Sequence, residues 1–105
     1  MNQEELQVAA FEIILNSGNA RATVHEAFSE MREGHYAEAE KKLELAITEL
    51  VEAHRAQTKL LQDYASGIEM KMEIIMVHAQ DHLMTTMTLR EVALEMLNLY
   101  RKIEQ

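Results

Sequence analysis

Residues 76–87 read MVHAQDHLMTTM. The stretch contains no glycine or proline, so it predicts helix. Within it His78, Asp81 and His82 stand among apolar and small polar residues. Burying such groups without partners is costly. Their presence in a small chain therefore points to chemistry, metal binding or specificity.

The surrounding helix, predicted over about 69–103, carries three stripes. One is Met76, Ala79, Leu83, Met87, Leu94 and Leu97. A second is Ile74, Val77, Asp81, Met84 and Thr88, and a third runs from Ile75 through His78, His82 and Thr85 to Leu89, Val92, Met96 and Leu99. Between 74 and 89 no charged face remains. A helix apolar nearly all round is buried nearly all round. A three-helix monomer would leave one face of each helix in water. The sequence therefore predicts an oligomer paired through this helix, with closed rotational symmetry.

Outward from that helix, Gly34 and Gly67 follow helix-forming runs as C-terminal glycines do. They divide the 105 residues into three similar pieces. The first, about 3–32, has Leu6, Ala10, Ile13, Ser17, Ala20, Val24, Phe28 and Met31 at helical spacing, with a kink or short break expected near Gly18. The second, about 35–66, places Tyr36, Ala39, Leu43, Ile47, Leu50, His54, Leu61 and Tyr64 on one face, with His54 read as a core residue or a supporter of the third helix. His25 and His35 read as surface or turn residues. The expected fold is all-α, a single domain of three long antiparallel helices running up, down and up.

Composition narrows the function. The chain has no proline, three glycines and no cysteine, which excludes disulfides and thiolate chemistry. The formal charge is −8, and the few basic residues are scattered, so no nucleic-acid surface is expected. No run of 18 apolar residues is present to span a membrane. The opening MNQEELQ is acidic, unlike a secretory signal, and a cytoplasmic location is expected.

Three readings of the histidines remain open at this level. They are ordinary interface residues, or a metal pair at i,i+4, or a phosphoryl acceptor with its neighbour. The zinc-protease pattern is not met, because HAQDH lacks its glutamate. A neutral imidazole nitrogen is nucleophilic near neutral pH. Asp81 lies in an apolar seam; several copies meeting there would take up protons or recruit a hard cation such as Mg²⁺ or Ca²⁺. From a different class, GHYAEAEKKLELAI (34–47) is similar to half of a tetratricopeptide repeat, which would make the chain an interaction module, although no second copy occurs.

VHAQDHLMT (77–85), FEIILNSGNAR (11–21) and EAHRAQTKLL (52–61) carry a resemblance across essentially the whole chain. It resembles the lactose/cellobiose-type IIA component of the phosphoenolpyruvate-dependent sugar phosphotransferase system. The resemblance implies a homotrimer of three-helix bundles acting as a phosphotransferase component with a phosphohistidine intermediate. It implies that His78 accepts phosphoryl from HPr and passes it to a cysteine of a IIB component, with the membrane IIC component involved only indirectly. The sugar would be a β-glucoside disaccharide such as cellobiose. Gln80 and His82 would assist His78, and three Asp81 side chains would share Mg²⁺ at the trimer centre. No organic cofactor is expected.

Overall fold

A computed structural model describes residues 2–104. Three helices follow one another: α1 (Gln3–Arg32), α2 (Tyr36–Ala65) and α3 (Ile74–Glu104). They form an elongated bundle of 54 × 20 × 19 Å. No helix is long and apolar enough to cross a membrane among the described residues.

Asn2 caps α1, its side-chain oxygen accepting the Glu5 N–H at 2.8 Å. Glu4 and Glu5 in the first turn complement the positive helix end. Both glycine turns close the same way. At Gly34 (φ 79°) the Gly34 N–H donates to the Met31 carbonyl and His35 N–H to Glu30. At Gly67 (φ 90°) the Gly67 N–H donates to Tyr64 and Ile68 N–H to Asp63. This paired closure needs a left-handed residue just past the helix, which glycine supplies at no steric cost.

The two connections then differ. After Gly34 a helix resumes at Tyr36, and His35 pairs with Glu30 at 2.9 Å. After Gly67 the chain stays non-helical until Ile74, five residues later than the expected start near 69. Residues 69–73 are good helix formers, but Glu69, Lys71 and Met72 are exposed. Short helices draw their stability from packing; before Ile74 only Met70 packs on the core, and regular contact begins with Ile75, Met76 and Ala79. At Gly18 the opposite occurs: α1 runs through it without a break.

The core forms two clusters along the bundle. One joins Leu6, Ala10, Ile13, Ala20, Leu50, Ala53, Leu60, Met76, Ala79 and Leu83. The other joins Val24, Ala27, Met31, Ala39, Leu43, Ala46, Ala93 and Leu97. The α1 stripe read from sequence is buried, apart from Phe28 at its edge. On α2 the buried arc is rotated. Ala46, Ala53 and Leu60 are inside, whereas Ile47, His54, Leu61 and Tyr64 are exposed. The reason is that α2 packs mainly against α1 and less against α3, so its small residues take the centre of the contact. His54 is thus a surface residue, lining an open groove between α2 and α3 with Val51, Met87 and Arg90. His25 and His35 are exposed as expected. The 34–47 segment forms one turn and the start of a single continuous helix.

Candidate functional site

α3 buries one arc: Met76, Ala79, Leu83, Thr86, Ala93 and Leu97. The opposite side faces outward in the single chain. Ile74 is 88 % exposed, Val77 54 % and Met84 49 %, and the row continues through Val92 and Leu99 to Ile103. Asp81 sits in this row, exposed. An apolar stripe of this length is unusual on a monomer surface.

His78 and His82 occupy the border between that stripe and α1. At 100° per residue their i,i+4 spacing puts both rings on one side of the helix. The rings lie 6.0 Å apart between centroids and 4° from parallel. His78 is exposed, and His82 is half-buried. Burial, then the Arg21 guanidinium and then His78, push the His82 imidazole below its usual range, with Asp81 acting against them. His82 is therefore a neutral group near pH 7. Among the described residues, no hydrogen bond fixes either ring, so within one chain the stack orients them. His78 thus presents an exposed imidazole, a side chain whose ring nitrogen can act as a nucleophile.

Beneath His82 lies α1. A Cβ at Gly18 would meet the His82 Nε2 at 3.6 Å, so α1 passes directly under the ring. One turn on, Arg21 reaches across to α3. Its Nε donates to Thr86 Oγ1 at 3.0 Å, and its Nη2 donates to Thr85 Oγ1 and to the His82 carbonyl at 3.4 Å. The Thr86 hydroxyl donates in turn to the same carbonyl at 2.7 Å. None of Arg21, Thr85 and Thr86 stood out in the motif reading. The available signal was a lone arginine in ILNSGNARAT, an otherwise uncharged segment of α1.

Gln80 lies elsewhere. Two residues from His78, it turns toward α2, where Gln57 Nε2 donates to its side-chain oxygen. Its own amide points to Met76 Sδ at 3.8 Å. Within one chain the structure thus brings His82 to His78 and takes Gln80 away. Asp81 has no ion-pair partner, and no group of three acidic or histidine side chains suited to a metal occurs among the described residues. Between residues 74 and 88 this row offers a single carboxylate, Asp81. That donor fits a hard cation only where copies of the chain bring their carboxylates together.

Comparison with known proteins matches this arrangement to one family. The family model described as the lactose/cellobiose-specific IIA subunit of the phosphotransferase system matches residues 8–101. The lichenan-specific phosphotransferase enzyme IIA component of Bacillus subtilis (strain 168) is 45 % identical over 102 residues, covering 97 % of this chain and 93 % of that protein. A crystal structure of PtcA from S. mutans superposes with a TM-score of 0.95 at 75 % identity, covering 96 % of this chain and 99 % of that one. The IIA(chitobiose) chain in the solution structures of its complex with HPr, from Escherichia coli, superposes with a TM-score of 0.81 at 36 % identity, covering 95 % of this chain and 97 % of that one. The chain belongs to the lactose/cellobiose-specific IIA family, the IIA components of the sugar phosphotransferase system.

Proposed function

We propose that this chain carries phosphoryl groups on His78, taking them from HPr and giving them to the cysteine of a IIB component. The observation that carries the reading is the exposed His78 imidazole stacked on a neutral, half-buried His82. The complex of the E. coli relative with HPr supports HPr as donor. In each transfer an imidazole or thiolate lone pair attacks phosphorus in line, and the bond from phosphorus to the donor atom breaks as the new bond forms. The protein's part is alignment and charge stabilisation. His82 supplies an adjacent ring that can donate to a phosphoryl oxygen. Gln80 assists only if it comes from a neighbouring copy, because its own chain ties it to Gln57.

The exposed row Ile74, Val77, Met84, Val92 and Leu99 supports a homotrimer closed through α3. Three Asp81 carboxylates would then converge and hold Mg²⁺. The cation would neutralise their mutual repulsion in an apolar seam. The chain works as a cytoplasmic carrier without an organic cofactor, coupled to the membrane IIC component only through IIB. Its sugar is a β-glucoside disaccharide such as cellobiose, a reading supported by the family's lactose/cellobiose description.

Incubation with phosphoenolpyruvate, enzyme I and HPr tests the assignment. The wild type takes up an acid-labile, alkali-stable phosphoryl group; His78→Ala remains folded and takes up none. Labelling of the variant at the normal rate would contradict the proposal.

A further inference from the structure

We propose that Arg21 is a positioning residue for phosphoryl transfer: from α1 it fixes the α3 turn 82–86, and through that turn the His82 ring stacked on His78. The inference rests on the carrier reading above.

Arg21 makes all three of its contacts on a single turn of α3. They are the Thr86 hydroxyl, the Thr85 hydroxyl and the His82 carbonyl. The last two are reached by one nitrogen, and the Thr86 hydroxyl closes the loop by donating to the same carbonyl. A planar guanidinium holds such a set in a fixed fork, which lysine cannot reproduce. Arg90 of α3 reaches one neutral oxygen, the Leu43 carbonyl at 3.2 Å, with a single bond; two other cross-helix cations pair with acids instead. Lys42 reaches Glu26 at 2.8 Å, and Arg101 reaches Glu40 at 3.3 Å; both are exposed acid–base pairs. Such pairs contribute little. Arg21 instead meets only neutral oxygens and makes no ion pair among the described residues, in a chain of net charge −8. Its positive charge stays uncompensated one side chain away from the imidazoles. Gly18, one turn earlier, adds the second half of the arrangement, because His82 Nε2 lies 3.6 Å from where its Cβ would be. The α1 segment 18–21 therefore passes close beneath the His82 ring and bonds its backbone carbonyl.

The test compares Arg21→Gln, Arg21→Lys and Thr85→Ala with the wild type in the full chain. Phosphorylation kinetics are followed with phospho-HPr as the varied substrate, and the imidazoles by nitrogen-resolved NMR. Arg21→Gln lowers kcat by about 10-fold or more, changes KM for phospho-HPr by less than about twofold, and moves the His82 ring signals. Arg21→Lys keeps the charge without the fork and does not restore the rate. Thr85 is exposed, so Thr85→Ala folds whatever happens to the others, and it shows a smaller loss in kcat with the same ring-signal change. A wild-type kcat in these variants, or a lost kcat with unmoved His82 signals, overturns the inference. Wild-type protein that never labels at His78 would overturn the carrier reading instead.

Discussion

The two ends of the bundle use the same three helices for different ends. Around Val24, Met31, Leu43, Ala93 and Leu97 the apolar side chains are almost fully buried, closed by the Gly34 turn and by Tyr36 against Tyr100 at 5.9 Å. Around Ile13, Leu50, Met76 and Leu83 the same helices admit groups that weaken a core. Gly18 sits mid-helix, the Ser17 hydroxyl is buried without a partner among the described residues, and the His82 imidazole lies over α1. Helix interiors pay about 1 kcal/mol for a glycine in place of alanine. A fold tolerates such costs where the residues serve something other than stability. One end holds the bundle together, and the other carries the histidines proposed for the chemistry.

The sharpest way to break that contrast is a core truncation at the Leu97 end. Leu97 is fully buried, and Leu97→Ala should destabilise the chain by about 2–5 kcal/mol. Denaturant unfolding measures the loss, and the fraction that remains folded should still label at the wild-type rate per molecule. A labelling defect larger than the folding defect would mean that the two ends are not separable.

Next in size is Asp81→Leu on the outward row of α3. If three copies meet there, replacing the carboxylate with an apolar side chain should leave the trimer as stable or stabilise it by about 1–4 kcal/mol. Sedimentation equilibrium across a dilution series measures this. Dissociation of the variant where the wild type holds together would show that the carboxylates and their cation maintain the assembly.

Gly18→Ala is smaller and opposite in sign at the two levels. An added Cβ would meet His82 Nε2 at 3.6 Å, an ordinary contact, so the helix should gain about 0.5–1 kcal/mol. The methyl group covers one side of that nitrogen, and phosphoryl transfer should slow while thermal stability rises. A variant that is both more stable and fully active would remove Gly18 from the functional account.

The smallest effect is in pH. The folded chain holds His82 below the usual imidazole range through burial, Arg21 and His78. The unfolded chain then binds more protons at low pH, so His82 contributes stability above about pH 6.5 that is lost progressively as pH falls below it. Comparing the pH profile of unfolding for the wild type and His82→Gln isolates this share. A wild-type profile no steeper than the variant's across that range would contradict the assignment.

The legibility of the sequence followed the same division. The α1 core stripe was readable because it has a strong 3.6-residue period, whereas on α3, apolar on several faces, the stripe through Met76, Ala79, Leu83 and Leu97 held but the small residues Thr86 and Ala93 are buried in place of Met87 and Leu94. The α2 face was misjudged by one residue, because Ala46 and Ala53 carry less apolar signal than Ile47 and Leu61 although they form the contact with α1. The late start of α3 was hidden for a related reason. Residues 69–73 favour helix locally, but only Met70 among their apolar side chains packs on the core, while Met72 stays exposed. In the site, His78, Asp81 and His82 stood out as polar groups in an apolar run. Arg21 did not, because its partners are hydroxyls and a carbonyl about 65 positions away, a pairing that leaves no local pattern.

The central claim is tested most directly by mass spectrometry of the wild-type chain after incubation with phosphoenolpyruvate, enzyme I and HPr, with the sample kept at alkaline pH throughout. The account predicts one phosphoryl group per chain, localised by fragmentation to His78. A phosphoryl group on another residue, or none under conditions where HPr itself is phosphorylated, would contradict it.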